Sequence, residues 1–229
     1  MDIKQAKIAH IRWNKIHSKI IDKQKGLNES ERLKYKARLC GYLAGDGYIK
    51  ARKDSKIKRI IHYDIQFSLD HSSIVNSCQE AFIALYGISM KIKNNGKYFT
   101  LRKKCKPVCL DLLSFGDRFE SLNWHIPKLS TREQEIEWLR AFFDSEAYVG
   151  ASSVCVQSVN RRGLLQVQKL LLNYGIESRL YTYHRKQKNW NTNYLLFILK
   201  KESKYNYLKN IGFNHSVKQE KLKNQFEST

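Results

Sequence analysis

An internal repeat constrains the fold of this 229-residue chain more than any other feature. Residues 39–49, LCGYLAGDGYI, match residues 139–149, LRAFFDSEAYV, at a constant offset of 100. Leu and Tyr recur unchanged, while small, aromatic, acidic and branched positions are replaced by residues of similar chemistry. The sequence Tyr-Gly-Ile then recurs at 86–88 and 174–176, an offset of 88. Such self-similarity predicts two copies of one structural unit.

The two copies differ in length. Because the offset falls from 100 to 88, the first copy contains 12 more residues between its motif and its next helix. We place them in a longer hairpin loop within residues 50–59. The two halves are therefore expected to be related but unequal.

Each copy contains the same order of secondary-structure signals. Asn28 and Glu31, three positions apart, predict a helix start with a capping box. Residues 61–67 alternate between apolar and polar side chains, as a strand does, and residues 94–96, Asn-Asn-Gly, predict a hairpin turn. The order in both copies is helix, two strands, helix, two strands, helix. The predicted fold class is therefore α+β, with two pseudo-symmetric αββαββα repeats.

The boundaries follow from the repeat, because no linker rich in glycine or serine divides the chain. We expect four segments in chain order. They are a basic N-terminal extension at 1–27, a first repeat at 28–114, a linker at 115–131 and a second repeat at 132–229.

Small residues recur at the same positions of the two motifs. Gly41 and Gly45 lie one helical turn apart, and Ala141 and Ser145 hold the equivalent positions. A glycine inside a helix costs about 0.5 to 1 kcal/mol relative to alanine, so a compensating contact is expected. Small residues spaced i, i+4 share one helix face and allow two helix backbones to approach closely. The pattern predicts that the two motif helices pack against each other.

An acidic residue follows each pair of small residues, Asp46 in the first motif and Glu146 in the second. At the carboxyl end of a helix the macrodipole disfavours a carboxylate, and two neighbouring carboxylates repel each other. A bound cation is the simplest way to stabilise such a pair. Oxygen ligands without cysteine or histidine partners favour Mg²⁺ over zinc or copper.

The charge of the chain indicates a polyanionic partner. There are 42 Lys and Arg residues against 21 Asp and Glu, a formal net charge of +21, together with 13 Tyr and 10 Phe. Such an excess is typical of nucleic-acid-binding proteins. No run of 18 apolar residues is present, so we expect an intracellular protein with no membrane partner. The five cysteines fit neither a disulfide framework nor a zinc site, and they are predicted to be buried free thiols.

Residues 39–47 and 139–147 occupy the nine positions of a known motif. Through them the chain resembles the single-chain, two-motif branch of the LAGLIDADG homing endonucleases, over about residues 31–213. The resemblance implies two antiparallel sheets that form a saddle over double-stranded DNA, with the motif helices at its centre. It further implies a monomer that uses Mg²⁺ or Mn²⁺ to make a double-strand break at a long asymmetric target.

The resemblance also implies roles for individual residues. The acids at the eighth motif position, Asp46 and Glu146, would be catalytic and would bind the metal. The backbone carbonyls of Gly45 and Ser145 would help to coordinate it. The family usually carries a Lys or Gln that organises the attacking water, and the candidates here are Gln66, Gln157, Lys103, Lys104, Lys200 and Lys201.

DNA contacts are expected on the strands and hairpins, because a β-ribbon fits the major groove and alternate side chains point the same way. Most of these contacts would go to phosphates. The candidates are Lys50, Arg52, Lys56, Lys58, Arg59, Gln66, Lys91, Lys93, Arg102, Gln157, Arg179, Tyr181, Tyr183, Arg185, Lys186, Lys188, Asn191 and Asn193. The extension at 1–27 is interpreted as a basic helix that either adds backbone contacts or is solvated.

Two alternatives remain open. The chain could be an RNA maturase that binds a group I intron, or a catalytically inactive DNA-binding regulator of the LAGLIDADG type. Retention of an acid in both motifs favours the endonuclease, because loss of either acid is the simplest sign of an inactive protein. An intein is not expected, since the sequence ends in Glu-Ser-Thr without a His-Asn junction.

Overall fold

The structure, a computed structural model, describes residues 3–53, 60–184 and 191–227. Within these ranges the chain forms eight helices and eight strands. In chain order they are α1 (Ile3–Lys25), α2 (Glu29–Ala44), β1 (Gly47–Lys53), β2 (Ile60–Leu69), α3 (Ser72–Tyr86), β3 (Lys91–Asn94), β4 (Phe99–Lys104), α4 (Lys106–Gly116), α5 (Arg132–Glu146), β5 (Ala147–Val149), β6 (Val154–Ser158), α6 (Arg161–Leu172), β7 (Arg179–Tyr183), β8 (Asn193–Ile198), α7 (Lys201–Asn210) and α8 (Ser216–Glu227).

The strands form two four-stranded antiparallel sheets with the same strand order. The first sheet is ordered β1-β2-β4-β3 and the second β5-β6-β8-β7. From α2 to α4 and again from α5 to α7 the chain runs helix, strand pair, helix, strand pair, helix. The predicted α+β fold class with two αββαββα units is confirmed.

The length difference between the copies lies mainly in the first strand pair of each. Strands β1 and β2 have 7 and 10 residues, whereas β5 and β6 have 3 and 5. The additional residues therefore lengthen two strands, and the loop we expected within residues 50–59 accounts for only part of them. Residues 54–59 lie outside the described ranges.

Local signals in the sequence explain where these elements begin and end. The Asn28 side chain accepts a hydrogen bond from the Glu31 amide at 2.8 Å, and the Glu31 carboxylate accepts one from the Asn28 amide at 3.3 Å. This is the predicted capping box at the start of α2. Helix α3 ends at Gly87, whose φ of 64° lies in the left-handed region that glycine adopts without strain.

The core is built around α2 and α5. Leu39 and Tyr42 on α2, and Trp138 and Phe142 on α5, are fully buried. One face of each sheet packs toward this layer because core-facing and outward side chains alternate along a strand. On β2, for example, Ile65, Phe67 and Leu69 are buried while the residues between them point to the opposite face.

Two helices lie outside the repeated units. The basic extension forms α1, as interpreted from the sequence, and it packs near α3: a methyl group at Gly87 would lie 3.4 Å from Cβ of Lys23. Helix α8 follows the second unit, and no sequence pattern predicted it. The five cysteines are buried free thiols, as expected. Of the helices in the described ranges, none is long and apolar enough to span a bilayer.

Candidate active site

The two motif helices meet through their small residues. A methyl group at Gly41 would overlap the carbonyl oxygen of Trp138 and lie 2.9 Å from Cβ of Ala141. A methyl group at Gly45 would lie 2.5 Å from Cβ of Ser145. These separations are shorter than a side chain tolerates, so the close approach of the two helices requires glycine at both positions. The predicted seam between the helices is confirmed.

The seam brings the two motif acids to the same end of the helix pair. Glu146 is the last residue of α5, and Asp46 follows Gly45, the cap residue of α2. Gly45 lies directly against the second acid, since a methyl group there would be 3.3 Å from Cγ of Glu146. The structure therefore places the two predicted catalytic acids together.

Burial and a neighbouring carboxylate favour the protonated form of each acid. Burial raises the pKa of Asp46 to about 6; the Asp70 carboxylate adds to the rise and the Lys218 ammonium opposes it. Burial raises the pKa of Glu146 to about 8, Asp46 adds to the rise, and Lys218 again opposes it. Near neutral pH the pair therefore retains a proton, which a bound cation would displace.

Lys218, on α8, is a site residue that sequence reasoning missed. Its Nζ donates hydrogen bonds to the backbone carbonyls of Asp144 at 2.5 Å and Ser145 at 3.4 Å. Burial lowers the pKa of Lys218, while four neighbouring carboxylates raise it, Asp46 and Glu146 among them. Nothing in its spacing from the motifs marks this lysine, because α8 reaches the site only through the tertiary fold.

The start of α8 is fixed in place by contacts to both units. The His215 amide donates to Oδ1 of Asp144 at 3.0 Å, and its ring Nε2 lies 3.4 Å from Oδ1 of Asp70 in the first unit. The Ser216 amide donates to Oγ of Ser73 at 3.1 Å, at the start of α3. These contacts hold α8 across the two units and so position Lys218.

The donors around the seam suit a hard divalent cation. They include the carboxylates of Asp46 and Glu146 and the buried Ser145 hydroxyl, which has no hydrogen-bond partner in the part of the chain that the structure describes. All are oxygens, as Mg²⁺ and Mn²⁺ prefer. No group of three or more His, Cys, Asp or Glu side chains within the described ranges could hold a metal ion. Mg²⁺ fits this sparse set, because it commonly binds one or two carboxylates and takes its other ligands from water and substrate phosphates.

A cavity of about 210 Å³ opens beside Glu146 on the side of the second sheet. Among its lining residues are Gly45, Gln157 and Asn193. Gln157 is exposed and Asn193 is buried. Two of the predicted site residues on the second sheet therefore share a cavity with the acid of the second motif.

The remaining candidates for organising water lie elsewhere. Gln66 is on the outward face of the first sheet, where its Oε1 accepts a hydrogen bond from the Tyr48 hydroxyl at 2.9 Å. Lys103 donates to the carbonyl of Ser89 at 2.9 Å, and Lys200 forms an ion pair with Glu177. Lys104 and Lys201 are exposed. Lys218 is instead the lysine that contacts the site.

Register places the predicted DNA-contacting residues of the first sheet on one face. Directly paired residues of antiparallel strands point the same way, and Arg102 pairs with both Gln66 and Lys91. Those on this outward face are Lys50, Gln66, Lys91, Lys93 and Arg102, while Arg52 pairs with His62 at the end of β1. Lys56, Lys58 and Arg59 fall outside the described ranges.

Strand register also defines an outward face on the second sheet, but its side chains differ in chemistry from those of the first sheet. It carries the predicted residues Gln157, Arg179, Tyr181, Tyr183 and Asn193, together with Tyr148, Cys155, Leu195 and Phe197. Arg179 is the one cation among the residues that register places there. Asn191 is exposed just before β8, and Arg185, Lys186 and Lys188 fall outside the described ranges.

The second repeat matches a family model. Residues 133–212 match the model of the LAGLIDADG-like domain. This match contains the second motif, from Leu139 through Ala147, with Glu146 at its acidic position.

Solved structures with the same fold cover most of the chain. A structure of the homing endonuclease I-DmoI matches with a TM-score of 0.64 at 14% identity, covering 79% of this chain and 96% of that one. I-DmoI in complex with DNA and Mn matches with a TM-score of 0.62 at 14% identity, covering 79% and 97%. Full-length DUF199/WhiA from Thermatoga maritima matches with a TM-score of 0.55 at 13% identity, covering 91% and 65%.

Two proteins of Methanocaldococcus jannaschii are similar in sequence. The chain is 25% identical over 195 residues to glutamine–fructose-6-phosphate aminotransferase [isomerizing], covering 80% of this chain and 17% of the relative. It is 27% identical over 172 residues to the probable translation initiation factor IF-2, covering 68% and 15%. The chain thus spans less than a fifth of each relative. Because their names denote unrelated activities, the shared segment carries neither activity to this chain.

Proposed function

We propose that this chain, a member of the LAGLIDADG family, is a metal-dependent homing endonuclease that cuts both strands of a long asymmetric DNA site. The observation that carries the proposal is the convergence of Asp46 and Glu146 at one end of the helix seam. Fold similarity alone would not suffice, because DUF199/WhiA, which is not named as an endonuclease, shares the fold.

The chemistry of the seam supports phosphodiester hydrolysis. A bound Mg²⁺ or Mn²⁺ would activate water and neutralise charge on the phosphate oxygens. Asp46 and Glu146 would hold it, together with the backbone carbonyls of Gly45 and Ser145. The seam presents one acid from each motif helix, which fits one cut on each strand of the duplex.

Lys218 adds a positive charge beside the two acids. Its ammonium sits against the last turn of α5 through the carbonyls of Asp144 and Ser145. A fixed cation there offsets the negative helix end and attracts a phosphate. We therefore assign to Lys218 the role of organising water or phosphate that the resemblance implied for a Lys or Gln.

Binding of double-stranded DNA is supported by the outward faces of the two sheets. The lysines of the first face are free to contact phosphates, and strands of this kind fit the major groove. A single chain supplies both units and both acids, so a monomer suffices for the complete site. An inactive DNA-binding regulator is the second candidate, because the fold is shared with DUF199/WhiA.

The test is cleavage of DNA by the full chain. Linear duplexes with a randomised region of roughly 20 base pairs, two helical turns, are incubated with the protein and Mg²⁺, and the cut molecules are sequenced. We expect enrichment of one asymmetric site, cut on both strands. Asp46→Asn and Glu146→Gln should each lower the cutting rate by at least about 100-fold, while DNA binding persists. This loss exceeds the usual effect of changing a residue that only neighbours a metal ligand.

Two further variants sharpen the result. Glu220→Gln removes an exposed carboxylate from α8 and should cut like the original chain. Lys218→Met should slow cutting by about 10- to 100-fold, while DNA affinity should fall by a smaller factor. Sequence-specific binding without cutting by the unchanged protein would indicate the regulator. Tight binding of a group I intron RNA, with no binding of any duplex, would indicate the maturase.

A further inference from the structure

One acidic residue stands out on the cationic face of the first sheet. Asp64 is the only acid among the residues that register places on this outward face, and it is 2% exposed. A carboxylate on a surface that approaches phosphates is unfavourable unless a cation covers it. Its presence there therefore calls for a specific partner.

That partner is Arg102, on the adjacent strand β4. Its Nε donates to Oδ2 of Asp64 at 2.7 Å and to Oδ1 at 3.0 Å, and its Nη2 also donates to Oδ2. The carboxylate thus binds one edge of the guanidinium group. The Arg102 side chain remains 41% exposed, so the opposite side of the group is open to a ligand.

The free edge has the geometry of a base-reading group. With Nε and one Nη2 hydrogen engaged, the Nη1 and Nη2 hydrogens at the tip of the side chain remain available as a planar, parallel pair of donors. Guanine presents two acceptors, O6 and N7, to the major groove, and a bidentate arginine is its commonest specific partner. Adenine replaces one of these acceptors with a donor, and thymine and cytosine lack the pair.

The other cations of this face are not held in this way. Among the described residues, no carboxylate hydrogen-bonds to Lys50, Lys91, Lys93 or Lys104, and all four are exposed. Flexible ammonium groups suit phosphates at variable positions, whereas a guanidinium fixed by a buried carboxylate suits one position. Covering Asp64 would need only a cation, whereas a guanidinium that stays 41% exposed also offers paired donors to a ligand.

We infer that Arg102 reads one guanine in the half of the target that lies on the first sheet, and that Asp64 is the positioning residue that fixes it. The inference rests on the proposed function, in that it needs a duplex bound across this sheet. It adds the identity of one base and of the residue that selects it.

The experiment measures base preference and not cleavage. Randomised duplexes are selected for binding to the full chain in EDTA, so that no strand is cut, and enrichment is scored at every position. We expect one position with a guanine preference of about 5- to 100-fold, the range of a bidentate contact. Arg102→Ala should abolish the preference there alone. Arg102→Lys, which keeps a cation against Asp64 and so preserves folding, should reduce it because a point charge cannot make the paired contact.

Asp64→Asn separates positioning from contact. It leaves Arg102 in place but removes the charge that holds it, so the guanine preference should broaden while total DNA affinity is kept or rises. Lys91→Ala is the matched control on the same face, and it should weaken binding of all sequences equally.

The outcomes distinguish this inference from the proposed function. If Arg102→Lys lowers affinity for every sequence and leaves all base preferences unchanged, Arg102 is a phosphate contact and the inference is wrong, although the endonuclease stands. An Asp64→Asn variant with an unchanged preference would remove the positioning role. Absence of duplex binding by the unchanged chain would overturn both.

Discussion

Between the two sheets, the strand order is the same but the outward chemistry is not. The first face is basic, with Lys50, Lys91, Lys93, Arg102 and Lys104, whereas the second exposes Tyr148, Tyr181 and Tyr183 at 68%, 45% and 55%. Cations favour phosphates and guanine, while aromatic and apolar groups favour base faces and thymine methyl groups. A symmetric fold can thus carry two chemically different faces, which suits the asymmetric target that we propose.

The largest expected effect is the loss of DNA affinity with rising salt, which tests whether the positive charge of the chain binds a polyanion. If DNA binding neutralises 6 to 10 phosphates, affinity should fall by roughly 10³- to 10⁵-fold between 50 and 200 mM salt. Fluorescence anisotropy with the selected duplex would measure it. An affinity that hardly changes with salt would mean that the net charge of +21 has another cause, and that the basic face is not the dominant contact.

At the helix seam, Gly41 on α2 faces both Ala141 and the Trp138 backbone on α5. Gly41→Ala should lower the free energy of unfolding by about 3 kcal/mol, the upper range for overpacking, because the new methyl group meets the carbonyl of Trp138 as well as Ala141. Chemical denaturation would measure this. Exchanging the small residues, with Gly41→Ala and Ala141→Gly together, should restore little, since the Trp138 carbonyl remains in the way.

Gly26 provides a matched control outside the seam. Gly26→Ala places a methyl group 3.5 Å from the nearest atom and should change the free energy of unfolding by less than about 0.5 kcal/mol. Full recovery in the exchanged double variant would mean that the two helices are interchangeable at the seam.

The two motif acids should also differ in how pH changes stability. In metal-free protein, an acid with a raised pKa stabilises the fold while it is protonated, and that contribution is lost as pH rises from its ordinary pKa to its folded one. For Asp46 the loss runs from about 3.8 to about 6, and for Glu146 from about 4.5 to about 8. Asp46→Asn and Glu146→Gln should therefore stabilise the metal-free protein at high pH, by roughly a few kcal/mol.

The measurement is thermal unfolding in EDTA from pH 4 to pH 9. The gain from Asp46→Asn should level off above about pH 6, while the gain from Glu146→Gln should continue to grow to about pH 8. Identical pH profiles for the two variants would contradict the unequal environments of the acids.

The smallest expected effect compares single residues on the two faces. Lys91→Ala should reduce the salt slope of DNA binding by about 1, because it removes one phosphate contact. Tyr181→Ala, on the equivalent face of the second sheet, should weaken binding while leaving the slope unchanged, since no charge is lost. Equal changes of the salt slope in the two variants would contradict this difference between the two faces.

Sequence alone determined the features that depend on neighbouring residues. The repeat, the order of elements, the capping box at Asn28 and the small residues of the seam follow from local spacing and from the steric needs of close helix packing. The acids Asp46 and Glu146 could be named for the same reason, because the motif fixes their position relative to the seam.

Tertiary structure decided what depends on distant parts of the chain. Lys218 reaches the site because contacts from His215 and Ser216 dock α8 across both units, and no spacing encodes that docking. The pairing of Asp64 with Arg102 depends on strand register, which sets the side chains that share a face. The contrast between a basic and an aromatic face likewise arises only when register assigns each residue to the outward or the core side.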